Sequence, residues 1–151
     1  MIIIAFTGMP YSGKTEAVNI TRKKNITVIR MGDLVWDEVE KRGLELNDEN
    51  VGFIANLMRN EYGNNIWAIK TIEKIKSFYS DKLIVIDGIR NLEEIDIFKK
   101  KITAKFIVIA IISSDELRYK RGLTRFRKDD SKDIKTIKTR DKRETKWGIK
   151  R

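Results

Sequence analysis

The chain has 151 residues, 41% hydrophobic and 36% charged, with a formal charge of +10, no cysteine, no histidine and a single proline. That size and apolar content fit one domain, 1–151, with a buried core. Without Cys or His there are no disulfides, no thiolate or imidazole metal sites and no imidazole catalysis, so acid-base work falls to carboxylates.

The first element is an apolar run, Ile2 to Thr7, too short to span a membrane and without a cleavage-type signal, so no membrane association and a cytoplasmic location are expected. It reads as a strand entering Gly8-Met9-Pro10-Tyr11-Ser12-Gly13-Lys14-Thr15, which fits the Gly-x-x-x-x-Gly-Lys-Thr phosphate-binding pattern in full. Glycines at both ends let successive amides turn inward, and the helix that follows adds its positive end, so the concavity suits the polyphosphate of ATP. Lys14 is expected on the β- and γ-phosphates and Thr15 on Mg²⁺.

A first helix is expected from Lys14 to Lys24, stopping at Asn25, then a short strand from Thr27 to Met31. Gly32-Asp33 reads as the cap of a helix running to about Arg42, and Asp48 starts another that runs to Tyr62. Asn64 opens a third, with Ile66, Ile69, Ile72, Ile75 and Phe78 at helical spacing. Lys82 to Asp87 is a buried-type strand, Asn91 to Lys101 a helix, and Phe106 to Ile112 an unbroken apolar strand. A helix capped by Ser114 extends to about Phe126, with another from Asp130. Alternating strands and helices predict a three-layer α/β fold whose ligands gather at the carboxyl ends of a parallel sheet.

Polar residues cluster at those strand ends. Asp87 closes a hydrophobic run, where it can organise Mg²⁺ or cap the next helix; Arg90, in the same turn, can hold a second substrate's phosphate as a fork of donors. Asp33 is a candidate to orient or deprotonate an acceptor hydroxyl. Residues 120–151 contain 14 Lys and Arg against 5 Asp and Glu, leaving 18 against 17 in residues 1–119. Three readings of that excess are an arginine lid over triphosphate, a nucleic-acid-binding tail and a solvated basic helix. As a lid, Arg121, Arg125 and Arg127 would neutralise the transferred phosphoryl group and exclude water, with Arg121 and Arg125 one turn apart and Asp129-Asp130 holding them.

Taken with Gly32-Asp33, Asp87-Gly88-Ile89-Arg90, Arg127-Lys128-Asp129-Asp130 and Arg140-Asp141, the loop makes the chain resemble the nucleotide-kinase branch of the P-loop proteins. It looks most like the archaeal adenylate-kinase-related, dephospho-CoA-kinase-like family, over nearly its whole length. The resemblance implies a P-loop NTPase fold of about five parallel strands, an acceptor-binding helical region at about 33–80 and a lid at about 114–130. It matches Lys14 and Thr15 to phosphate and Mg²⁺ binding, Arg121, Arg125 and Arg127 to lid arginines, and Asp87 and Arg90 to the acceptor-side motif. Tyr11 stands in place of a loop glycine, and Trp36 in place of an arginine for the acceptor phosphate; an indole can stack on a base, and Arg59 is the candidate to supply the charge, with Arg140 beside it. The family pattern continues by a further strand and helix beyond Arg151, without which the strand from Phe106 would be an open edge. The function so implied is transfer of the γ-phosphoryl group of ATP to a small nucleotide or nucleoside-containing acceptor, by a monomer or homodimer. The alternatives are a dephospho-CoA kinase and a catalytically weak, ATP-dependent nucleic-acid-binding protein.

Overall fold

The computed structural model describes residues 1–149 apart from Phe126, Asp129, Ser131 and Lys132. Four apolar runs form strands: β1 (Ile2–Thr7), β2 (Thr27–Arg30), β3 (Leu83–Ile89) and β4 (Lys105–Ala110). The helices are α1 (Lys14–Lys23), α2 (Met31–Lys41), α3 (Asp48–Tyr62), α4 (Ile66–Ile75, extended by a 3-10 turn at Lys76–Phe78), α5 (Leu92–Lys101), α6 (Asp115–Thr124) and α7 (Ile134–Trp147). All strand pairs are parallel, in the order β2-β3-β1-β4, with Ile2 level with Leu83 on one side and Lys105 on the other.

Alternation along the strands divides the core between two faces. Ile3, Ala5, Ile29, Ile84 and Ile86 point to the side covered by Val35, Val39, Ile54, Ala68, Ile72, Ile75 and Phe98. Phe6 and Val85 point the other way, onto Val18 of α1. The central strands are buried on both faces, which explains their unbroken β-branched sequence. Asn47, Asn91, Ser114 and Asp133 cap α3, α5, α6 and α7, each accepting a hydrogen bond from the amide three residues on.

Several boundaries differ from the sequence expectation. The helix expected to be capped at Gly32-Asp33 begins at Met31, so Asp33 lies in its first turn and pairs with Arg30 instead of capping. β3 continues through Asp87 to Ile89, with the register against β1 shifting between Phe6 and Thr7; Asn91, not Asp87, caps α5. β4 ends at Ala110, α6 at Thr124, and α7 begins after Asp133 rather than at Asp130. Among the described residues the sheet has four strands, not five, and β4 forms its edge with Lys105, Ile109 and Ala110 exposed. No described helix is long and apolar enough to cross a membrane.

Phe98 is fully buried and stacks on Phe106 with ring centroids 5.3 Å apart, joining α5 to β4. Phe98→Ala should lower the unfolding free energy by about 3–5 kcal/mol, the cost of a large aromatic cavity, as read by urea denaturation; a loss below about 1 kcal/mol would mean that this edge repacks.

Candidate active site

The loop from Gly8 to Thr15 joins β1 to α1. Gly8 has φ 144°, and a Cβ there would lie 2.3 Å from the Ile111 carbonyl oxygen, so no other residue fits against the segment leaving β4. Lys14 is buried and folds back over the loop: Nζ donates to the Gly8 carbonyl at 2.6 Å and the Met9 carbonyl at 2.9 Å. Burial first, and the nearby Arg90 charge second, bring its pKa down to about 7. The Thr15 hydroxyl accepts a hydrogen bond from Arg127 Nη2.

Tyr11 adopts φ 61°, the left-handed region, and is buried. Its strain is held by packing. The Arg125 guanidinium lies 4.4 Å from the ring centroid and that of Arg140 5.7 Å, while the phenol donates to Asp130 Oδ1 at 3.3 Å. Asp130 in turn accepts Arg125 Nε and Nη2 at 2.8 and 2.6 Å and the Arg127 amide at 2.9 Å. Gly122 on α6 admits this arrangement, because a Cβ there would lie 2.8 Å from Ile137 Cδ1 and 3.2 Å from the Tyr11 ring. Arg118 donates to the Pro10 carbonyl and, through both terminal nitrogens, to Asp141. Arg121 donates to the Ser12 carbonyl at 3.0 Å, so α6 is fastened to the outside of the loop at two points.

A cavity of about 110 Å³ opens from Lys14 and Thr15 past Asp87, Gly88 and Arg90 toward Trp36, Ala55, Arg59 and Trp67. α7 closes its far wall with Arg140, Arg143, Glu144 and Trp147. Glu144 is buried between two arginines, 3.0 Å from Arg90 Nε and 3.1 Å from Arg140 Nε. Burial alone would raise its pKa; Arg90, then Arg140 and Lys14, instead hold it down to about 2. Arg59 faces Glu94 at 3.3 Å and lies over Trp147, 4.2 Å from the ring centroid. Arg143 grips Asp48 through both terminal nitrogens, at 2.9 and 3.1 Å, and so ties α7 to the start of α3. Arg30 lies over Trp36 at 4.2 Å and pairs with Asp33 at 3.0 Å.

The structure therefore brings Lys14, Thr15, Asp87, Arg90, Trp36, Arg59, Arg125, Arg127 and Arg140 to one cavity. Asp33 is half exposed beside Arg30 and is not among the cavity-lining residues, and Arg121 grips the loop carbonyls from outside. Arg121 and Arg125 do not share a helix face, since α6 ends at Thr124 and Arg125 is extended. Asp129, expected to hold arginines, lies outside the described residues. Sequence reasoning assigned no role in the site to Glu144, Glu94, Arg30, Trp67 or Trp147; the one available signal was the Arg140-Glu144 spacing of four, which aligns an ion pair on a helix.

Asp87 Oδ1 is buried with no hydrogen-bond partner and lines the same cavity as Thr15. Among the described residues no three acidic groups converge as a metal cage. A donor set of one hydroxyl and one carboxylate fits Mg²⁺, which takes few protein ligands and completes its shell with phosphate and water. Because Glu144 titrates lower folded than its ordinary value near 4.5, it stabilises the fold above pH 5, and this contribution is lost as pH falls toward 2. The charges facing it are Arg90 at the end of β3, Arg140 on its own helix and Lys14 on α1, all cationic in that range. In urea melts at stepped pH, Glu144→Gln should flatten the fall in unfolding free energy between pH 5 and 2 by about one proton's worth; an unchanged slope would show that Glu144 is not held ionised.

Comparison with known proteins bears on the fold and the family. A family model described as an AAA domain matches residues 7–138. A UPF0200 protein of Methanosarcina barkeri is 43% identical over 149 residues, 99% of this chain and 80% of that protein. A UPF0200/UPF0201 protein of Archaeoglobus fulgidus is 41% identical over 151 residues, 99% of this chain and 47% of that protein. The crystal structure of TT1252 from Thermus thermophilus superposes with a TM-score of 0.59 at 15% identity, covering 96% of this chain and 83% of that one, a likeness of fold. With its phosphate-binding loop between β1 and α1 and its parallel sheet, the chain has a kinase-like P-loop NTPase fold and belongs to the archaeal UPF0200 family.

Proposed function

We propose that the protein is a phosphotransferase that binds ATP with Mg²⁺ and transfers the γ-phosphoryl group to a nucleotide or nucleoside-containing acceptor. The observation that carries this reading is the continuity of one cavity, from Lys14 and Thr15 through Asp87 and Arg90 to a wall of tryptophans. Kinase chemistry needs positioning and charge stabilisation more than covalent catalysis, and those are what such a cavity provides.

In this reading Lys14 exchanges its bonds to the Gly8 and Met9 carbonyls for the donor phosphates, while the loop from Gly8 to Thr15 cradles them with its amides. Bound Mg²⁺, held by Thr15 and Asp87, supplies neutralisation of the phosphate charge. Arg127 has to release the Thr15 hydroxyl for that ion, and the released guanidinium lies where charge builds up on the transferred group. Arg125 and Arg140, seated on Tyr11, keep two further positive charges over the loop, and residues at about 114–130 act as the lid. Trp36, Trp67 and Trp147 give the acceptor side flat apolar surfaces for a base. Arginines 125, 127, 140 and 143 of the basic stretch turn into the cavity, which supports the lid reading over a nucleic-acid tail.

Lys14→Ala should reduce transfer of label from γ-labelled ATP·Mg²⁺ into a pool of nucleosides, nucleoside monophosphates and dephospho-CoA by at least about 100-fold, with an unchanged circular dichroism spectrum. Equal turnover in the two proteins would overturn the assignment.

A further inference from the structure

The acceptor half of the cavity is rich in guanidinium groups, yet those that a phosphate would meet first are already engaged in ion pairs. Glu144 bridges Arg90 and Arg140, and Glu94 faces Arg59. A phosphate-bearing group arriving at Arg90 and Arg140 would have to displace Glu144 and leave a buried carboxylate beside a second anion, which a low-dielectric site penalises. What Glu144 lacks is a hydrogen-bond donor on one of its two oxygens. Glu144 Oε2 is buried without a hydrogen-bond partner, although Arg90 Nε forms an ion pair with it at 3.0 Å, whereas the unpartnered Asp87 Oδ1 faces the Mg²⁺ position. A phosphate dianion brings no hydrogen to such oxygens; a hydroxyl does.

We infer that the acceptor presents a hydroxyl group to Glu144, so that the product is a phosphomonoester and not a phosphoanhydride. This rests on the phosphotransferase reading and names the class of acceptor within it. The hydroxyl oxygen forms a bond to the γ-phosphorus while the bond from that phosphorus to the β–γ bridging oxygen breaks, its electron pair leaving with the nucleoside diphosphate. The hydroxyl proton passes to the Glu144 carboxylate and from there to solvent. Arg90, Arg140 and Lys14 keep that carboxylate ionised, so its main work is to accept the hydroxyl's hydrogen bond and aim its lone pair. A loose transition state asks for no more, because the proton is lost late.

The test uses the full chain, ATP·Mg²⁺ and a pool of nucleosides, nucleoside 5′-monophosphates and dephospho-CoA, with products separated by phosphorus NMR into monoesters and anhydrides. The expected result is a monoester from the wild-type protein, a fall in kcat of about tenfold or more in Glu144→Gln with KM for ATP within about twofold, and partial recovery in Glu144→Asp. An anhydride on a monophosphate as the main product, or Glu144→Gln turnover equal to wild type, overturns the inference and leaves the phosphotransferase reading standing. No transfer to any acceptor, together with equal ATP affinity in wild type and Lys14→Ala, defeats that reading itself. The class of product from the wild type decides even if the variants fold poorly. Calorimetry decides without turnover: adenosine should bind the wild type more tightly than AMP, and Glu144→Gln should gain about tenfold in AMP affinity by releasing two arginines, whereas tighter AMP binding to the wild type contradicts the proposal.

Discussion

Seven guanidinium groups and an ammonium converge on one cavity, and the architecture around that cavity depends on keeping their mutual repulsion in check. Unpaired, such charges in a partly dry site would destabilise the fold by far more than its net stability. The balancing carboxylates come from distant elements: Glu94 from α5, Asp48 from the start of α3, Asp130 from the segment after α6 and Glu144 from α7. Each pair therefore fixes the position of one element against another. Arg143 with Asp48 sets α7 on α3, Arg90 with Glu144 sets it on the end of β3, and Arg59 with Glu94 joins α3 to α5. Buried pairs of this kind contribute little net stability when intact, but removing one partner is expensive, which makes them effective at specifying a single arrangement.

Tyr11 extends the same logic to the phosphate loop. A residue with a Cβ at φ 61° carries strain on the order of 1–3 kcal/mol, and the ring offsets it by filling the space between Gly122, Arg125 and Arg140. Where a glycine would leave the loop independent, the tyrosine makes its conformation depend on α6, α7 and Asp130 together. The loop and the arginines above it thus form one mechanical unit, with Arg118 and Arg121 anchoring it from the outer side.

Much of this was legible before any coordinates. The strand-loop-helix unit follows from local spacing, and the bounds of α3 from Asp48 to Tyr62 follow from an amphipathic period. Parallel pairing follows from strands alternating with helices. The arginines were also visible as a class, and Asp130 as a partner of Arg125, but not the partners distant in sequence. Arg143 and Asp48 are 95 positions apart, and Asp48 looks like any acidic residue in a first helical turn, where the dipole alone would justify it. Glu144 lies in a helix of low mean hydrophobic content surrounded by lysines, so nothing local marks it as buried; only the docking of α7 onto β3 and α3 does. The start of α2 was misplaced for a related reason: Gly32 and Asp33 carry strong capping signals, yet β2 feeds directly into the helix and Asp33 is taken by Arg30.

The chain has three tryptophans, and Trp36, Trp67 and Trp147 all line this one cavity. Its near-ultraviolet emission consequently arises from the walls of a single chamber and not from a scatter of unrelated positions. Two of those indoles lie beneath guanidinium groups, Trp36 under Arg30 and Trp147 under Arg59, so any event that shifts either arginine changes the field across a chromophore. The protein carries a built-in optical gauge for that chamber, and native, unlabelled material is enough to follow its filling and closing in real time.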